Sequence, residues 1–283
     1  MRITALFSGL FALSIIVSPM ASAQGLPAAG ILFQQDNPFS ALVGKSRERS
    51  QRRGDRSDVE RYVLTSDDRM FLFEELASGA RVQFLCGEND QRIDCVIDMA
   101  GPSPEIHALS ATRGPRGDVI YKDARDHTLI RIAAYGGATV YWPGETRGIA
   151  ASKSFGDDRS LRLGFTDMET ASRRAQGAAA QISALTGSPV FFDISAANAS
   201  GGANAAVLAD AIVTSAKGIA SVAQDETGAA AISSRIKRVI FLPSTDAEIS
   251  LGGSVLEIRY VPNLDIEGRP SSAKVAQFLE ESL

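Results

Sequence analysis

Histidine, cysteine and tryptophan are scarce in this 283-residue chain, at two, two and one. With histidine limited to His107 and His127, a His-Glu-x-x-His zinc helix is excluded, and no single element supplies three metal ligands at a workable spacing. Gly-x-Ser-x-Gly is missing, which removes the nucleophile elbow of the α/β-hydrolases. Gly-x-x-x-x-Gly-Lys and Gly-x-Gly-x-x-Gly are missing too, so the sequence offers no phosphate cradle and no cofactor is expected. Basic residues do not dominate: 33 Asp and Glu face 29 Lys and Arg, for a net charge of −4. Such a chain gains nothing from the charge of a phosphate backbone, and a nucleic-acid partner is not expected.

Long apolar runs are also lacking. Ala5 to Val17 is roughly 13 residues, short of the about 20 that a membrane-spanning helix needs. It follows the single charge of Arg2 and precedes Ser18-Pro19 and the small residues Ala21-Ser22-Ala23. That order is the order of a secretory signal peptide over residues 1–23, cut between Ala23 and Gln24. The expected location is the periplasm or the exterior, with no membrane span. In an oxidising compartment Cys86 and Cys95 are expected to form one disulfide. Apolar alternation through Val82, Phe84 and Cys86, and again through Ile93, Cys95 and Ile97, places the pair near the closed end of a hairpin. The spacing does not suit a redox pair.

What is present divides into segments. Residues 24–57 read as a flexible tether, with Lys45, Arg47, Arg49, Arg52, Arg53 and Arg56 against only Glu48 and Asp55. Its basic charge suits weak contact with anionic surfaces. Residues 58–150 carry short apolar segments about ten residues apart with Gly, Pro and Asp turns between, the pattern of a small antiparallel sandwich or barrel. From 151 to 283 alanine rises and helical periodicity appears. Thr166 to Glu169 fits a capping box opening a helix with a face of Met168, Ala171, Ala175, Ala178, Ile182 and Leu185. A loop over 195–204 leads to a second stripe at Leu208, Ile212, Ser215, Ile219 and Val222. A hairpin turns at Gly252-Gly253, and Pro270-Ser271-Ser272 caps a last helix. The expected class is α+β: a β-rich domain followed by a mixed α/β domain with Ala-rich helices.

Candidate chemistry is sparse. Glu105 and His107 fall on one side of a strand, and His127 follows Asp123 in a turn, so the four define the one conceivable metal set. Isolated histidines usually satisfy a local hydrogen bond instead, and no metal is expected. Ser271-Ser-Ala-Lys274 matches Ser-x-x-Lys but lacks the downstream elements of penicillin-binding enzymes, and helix capping explains it. Tyr135, Tyr141 and Trp142, beside Gly136-Gly137 and Pro143-Gly144, form the best aromatic group for contacting a sugar or peptide.

His107-Ala-Leu-Ser-Ala-Thr-Arg-Gly-Pro-Arg-Gly-Asp-Val-Ile-Tyr121, Tyr135-Gly-Gly-Ala-Thr-Val-Tyr-Trp-Pro143 and Gly268-Arg-Pro-Ser-Ser-Ala-Lys274 resemble a family of exported alphaproteobacterial proteins of unknown function. The resemblance runs from about residue 60 to 280 and implies no activity, cofactor or substrate. The residues favour a non-enzymatic envelope protein that binds a cell-wall polymer or another envelope protein. The alternative is an envelope hydrolase with a dispersed site that uses His107 or His127.

Overall fold

The computed structural model describes residues 59–88, 90–96, 104–156, 158–199 and 205–283. The signal peptide, its cleavage point and the basic tether lie outside the described residues. The described residues all fall within one compact unit.

Eight antiparallel strands close into an up-and-down barrel: β1 (Val59–Leu64), β2 (Met70–Leu76), β3 (Gly79–Phe84), β4 (Ile106–Arg113), β5 (Val119–Lys122), β6 (Thr128–Ile132), β7 (Ala138–Tyr141) and β8 (Gly148–Ser154). Each strand pairs with the next, and β8 returns to β1 with Leu64 opposite Ala151. Side chains two apart share a face. Tyr62 and Leu64, then Ala80, Val82 and Phe84, therefore fill the interior. A closed barrel has no free edges to protect from pairing with another chain.

Two expectations for this region change. The alternation over 93–97 predicts a strand continuing a hairpin from β3, but Ile93–Val96 form a short helix, α1. The reason is a long-range pairing: β3 joins β4 directly, with Val82 opposite His107, and the chain between them leaves the sheet. Asp90 turns that excursion by accepting from the Arg92 backbone at 3.0 Å, and the Cys86–Cys95 disulfide ties its two arms, Cα to Cα 5.7 Å. Ile97 lies outside the described residues. The second change is β8, whose pairing with β1 closes the barrel and which runs through the expected division near residue 150. Its Ala- and Ser-rich sequence carries little of the β-branched and aromatic signal of a strand.

The remainder is a mixed sheet with helices. β9 (Phe191–Asp193), β10 (Arg238–Pro243), β11 (Glu248–Gly252) and β12 (Val255–Tyr260) lie in the order β11-β12-β10-β9. β10 runs parallel to β9 and β12, while β11 and β12 form the expected hairpin. Along β12, Leu256, Ile258 and Tyr260 are buried and Arg259 is exposed, as the alternation requires. The helices are α2 (Met168–Thr186), α3 (Ser195–Ala199), α4 (Ala206–Val222), α5 (Glu226–Arg235) and α6 (Ser272–Ser282). The architecture is α+β.

Helix ends follow capping chemistry with one shift. α2 is capped by Asp167, which accepts from Thr170 N, rather than by Thr166. Its apolar face ends at Ile182, because Leu185 is exposed. Part of the expected 195–204 loop is α3, and residues 200–204 lie outside the described set. α4 is not the amphipathic helix its stripe suggested. It is buried on nearly every side from Ala206 to Ala220, packed between α2 and α6, as a helix apolar all round must be. The approach of α6 depends on Gly218, where a Cβ would come within 2.6 Å of the Val275 side chain.

Charged joints bind the barrel to this layer. On the outer face of β3, Arg81 donates to both oxygens of Glu267 and to Asp265, each at 2.8 Å, and to the Leu161 carbonyl. Glu74 on β2 accepts from Ser160 Oγ and Leu161 N. Leu72, Ile106, Leu161 and Ile266 form a separate apolar cluster beside these groups. A second joint centres on Arg269, which donates to Asp210 on α4 at 2.6 Å, to Glu105 at 3.3 Å and to the Ile106 carbonyl on β4. Burial alone would lower the Arg269 pKa, but the charges of Asp210 and Glu105 outweigh it and hold the guanidinium above its ordinary value.

Candidate functional site

In an up-and-down barrel all connections from an odd strand to the next even strand emerge at one end. Here those are the β1–β2 turn, the disulfide-tied excursion after β3, the Asp123–His127 turn after β5 and the Trp142–Arg147 loop after β7. They make a rim, and the last turns of α4 with the start of α6 close over one side of it. A cavity of about 660 Å³ lies between them, lined by Arg92, Arg125, His127, Tyr141 and Trp142 from the rim and by Lys217, Ser221 and Ser272 from the helices. A second hollow of about 820 Å³ lies on the side of Arg69 and Cys86 and shares Arg92, Trp142, Pro143 and Glu145 with the first. A small one of about 150 Å³ contains His107 and shares Arg125, Leu129, Ser221 and Ser272 with the first.

Trp142 is the centre of the rim. It is 3% exposed and sits edge-on against Phe84 at 5.0 Å. The guanidiniums of Arg69 and Arg92 lie 4.8 and 4.9 Å from its ring centroid, close enough for cation–π attraction. Each arginine is held from behind. Arg69 is gripped by Asp67 and Glu145. Arg92 is gripped by Asp90, by the Leu85 carbonyl at 3.0 Å and by a 3.4 Å contact with Cys95 Sγ. The Arg92 guanidinium in turn holds the Asp90 carboxyl below the usual carboxylate range.

That last shift has a sign. A carboxylate with a depressed folded pKa adds stability above its unfolded value, about 3.9 for Asp, and loses it as pH falls through the lower folded value. An acid titration followed by fluorescence of the single tryptophan is therefore expected to stay flat from neutral pH to about pH 4 and to change below it. A change centred between pH 5 and 7 would contradict the Asp90–Arg92–Trp142 stack.

The disulfide sets the position of Arg92. For a loop this short, replacing Cys86 and Cys95 with serine is expected to lower stability by about 2–3 kcal/mol. Urea unfolding under oxidising conditions checks it, and an unchanged midpoint would contradict it.

The residues singled out from the sequence separate in space. His127 is largely exposed, with Nδ1 3.8 Å from Asp123. The same Asp123 accepts from the backbones of Arg125 and His127 at 2.8 and 2.9 Å, so its first task is to shape the turn. His107 is mostly buried, edge-on to Phe84 at 5.8 Å, with Nδ1 3.9 Å from Glu105. Glu105 is fully buried and serves the Arg269 joint, and Ser272 N at the start of α6 donates to it at 3.2 Å. A carboxylate at that helix end is favoured by the unpaired amides and the helix dipole.

His107, His127, Glu105 and Asp123 do not converge. Among the described residues the group close enough to share an ion is Cys86, Asp90 and Cys95, and its two sulfurs are joined in the disulfide. The aromatic group separates as well. Tyr141 lines the first cavity and Trp142 is buried beneath the arginines, but Tyr135 is 91% exposed in the β6–β7 turn, at the other end of the barrel. Ser271 caps α6 by accepting from Lys274 N.

Sequence reasoning missed Arg92, Arg125, Lys217 and Ser221. Lys217 did leave a signal: it is the sole charge between Asp210 and Asp225 in an apolar helix, and it is 2% exposed at the cavity wall. Arg92 and Arg125 look like ordinary loop arginines until the loops are brought together.

No curated protein and no solved structure matches the chain. One sequence-family model does match, and it spans residues 38–279, from before the barrel to the last helix. The chain therefore belongs to the family described as Domain of unknown function (DUF4908).

Proposed function

We propose that this chain is an exported envelope protein that works by binding, and that the rim cavity is its binding surface for a cell-wall component or an envelope partner. The observation that carries the reading is the cavity of about 660 Å³, built jointly by three barrel connections and two helices. Its size falls within the range of small-ligand sites, and it mixes apolar walls with a few polar groups. Export is supported by the N-terminal signal pattern, and the Cys86–Cys95 disulfide suits an oxidising compartment.

The test is capture of purified protein on isolated sacculi and on immobilised envelope proteins. Ser221 is exposed on the last turn of α4 and borders the cavity, so Ser221→Trp is expected to fill it without disturbing the core. Capture should be lost in that variant. Equal capture by both proteins, or none by either, would contradict the reading.

A hydrolase remains the second reading, because one wall of the cavity carries His127 beside Asp123 and also Ser221 and Ser272. A general base has to lie within hydrogen-bond reach of its proton, and the exposed His127 is free to turn. Turnover of a wall, peptide or ester substrate that is abolished by His127→Ala, with folding intact, would favour it.

A further inference from the structure

Two guanidiniums at the rim cavity carry a buried N–H that no acceptor among the described residues satisfies: Arg92 through Nη1 and Arg125 through Nε. Buried donors of this kind are uncommon, and leaving one unmade costs about 1–3 kcal/mol, more when the group is charged. The two differ in their surroundings. Arg92 is already neutralised by Asp90. Arg125 has no carboxylate partner among the described residues, although it is half-buried between the barrel and α4. Glu145, the one carboxylate among the described lining residues, is engaged by Arg69. Arg125 therefore leaves a positive charge without a carboxylate partner among the described residues, in a protein that is acidic as a whole.

We infer that the cavity binds an oxyanion-bearing ligand, with its carboxylate or phosphate group held by Arg125 and Arg92. The inference rests on the rim cavity being the binding surface. A planar guanidinium matches the paired oxygens of either group, and such charge-assisted bonds are the strong ones. The cavity is large enough for the group to be one end of a small peptide or sugar. The neighbouring Tyr141, Leu129 and Pro143 offer apolar contact for the remainder.

The experiment is a fluorescence titration of the full processed chain at low salt, read from Trp142, which Arg92 overlies. The probes are a triglutamate peptide, inorganic pyrophosphate and a triglutamine peptide as the uncharged control. One of the two anionic probes is expected to saturate and the control is not; whichever saturates identifies the source as carboxylate or phosphate. Arg125→Gln, which removes a side chain with no structural bond of its own among the described residues, is expected to weaken binding by about 10- to 100-fold. Arg125→Lys keeps the charge without the fork and should fall between.

The inference is overturned if neither anion saturates below about 10 mM, or if Arg125→Gln binds as tightly as the natural protein. Sacculus capture separates this failure from failure of the binding role. Loss of capture in Ser221→Trp but not in Arg125→Gln would mean that the cavity takes an uncharged ligand. Capture unchanged in both would remove the cavity itself.

Discussion

Replacing Arg269 with alanine is expected to lower the unfolding free energy by about 3–5 kcal/mol, the range for breaking a buried ion pair from one side. The reason lies in what would remain. Asp210 is partly exposed, at 15%, and can turn to water, but Glu105 is 0% exposed. Without the guanidinium, the hydrogen bond that remains to its carboxylate among the described residues is the one from the Ser272 amide, and its second oxygen has no partner there. Arg269 also binds the Ile106 carbonyl, so its loss loosens β4 from α4 and α6 together. Lysine would not substitute, because a point charge cannot reach three acceptors in a plane. Urea unfolding of the single variant and of Arg269→Ala with Glu105→Leu checks the account. The double variant is expected to recover part of the loss, and a double variant as unstable as the sum of its parts would show that the two residues are uncoupled.

Phe71→Ala is expected to cost a similar amount, about 3–5 kcal/mol, by a different route. Phe71 is fully buried, stacked on Tyr62 at 5.0 Å and tilted against Phe84 at 6.1 Å. Phe84 in turn carries Trp142. A closed barrel has little freedom to collapse around the missing ring, so a cavity remains. The loss should therefore appear as a lower midpoint in urea and as a changed Trp142 emission in the native state, since the emptied position lies one ring away from it. A loss below about 1 kcal/mol would mean that the barrel interior repacks freely, against the interior density expected of it.

Much of the fold was legible in the residues, for identifiable reasons. Short apolar segments about ten residues apart, with Gly, Pro and Asp turns between, announced the β-rich barrel region, and alternation oriented β12, with Leu256, Ile258 and Tyr260 inward. Ser271 marked a helix start through local chemistry that needs no tertiary context, as an N-cap that accepts from Lys274 N. What escaped was non-local. Nothing within Gly148–Ser154 shows that it closes a barrel against β1, and nothing in residues 93–97 shows that β3 prefers β4 as its neighbour. The expectation that Cys86 and Cys95 are bonded held, but the hairpin around them did not.

The site was less legible than the fold. His107, Glu105, His127 and Asp123 drew attention as metal-capable types, yet three of them have clear local tasks: Glu105 in a joint, Asp123 in a turn, and His107 against Phe84. The groups that share the rim cavity come from segments far apart in sequence, Arg92 and Arg125 on the rim and Ser221 on α4. A basic residue in a polar loop carries no mark of its destination. Lys217, alone in an apolar helix, was the exception that pattern could have found.

Hydrogen exchange of the processed protein with and without bound sacculi tests the central claim most directly. Slowed exchange is expected around residues 123–129 and 141–146 on the rim and 217–224 at the end of α4, with the opposite end of the barrel around Tyr135 unchanged. Protection centred on Tyr135, or none at the rim while the protein is bound, would contradict the assignment of the cavity as the binding surface.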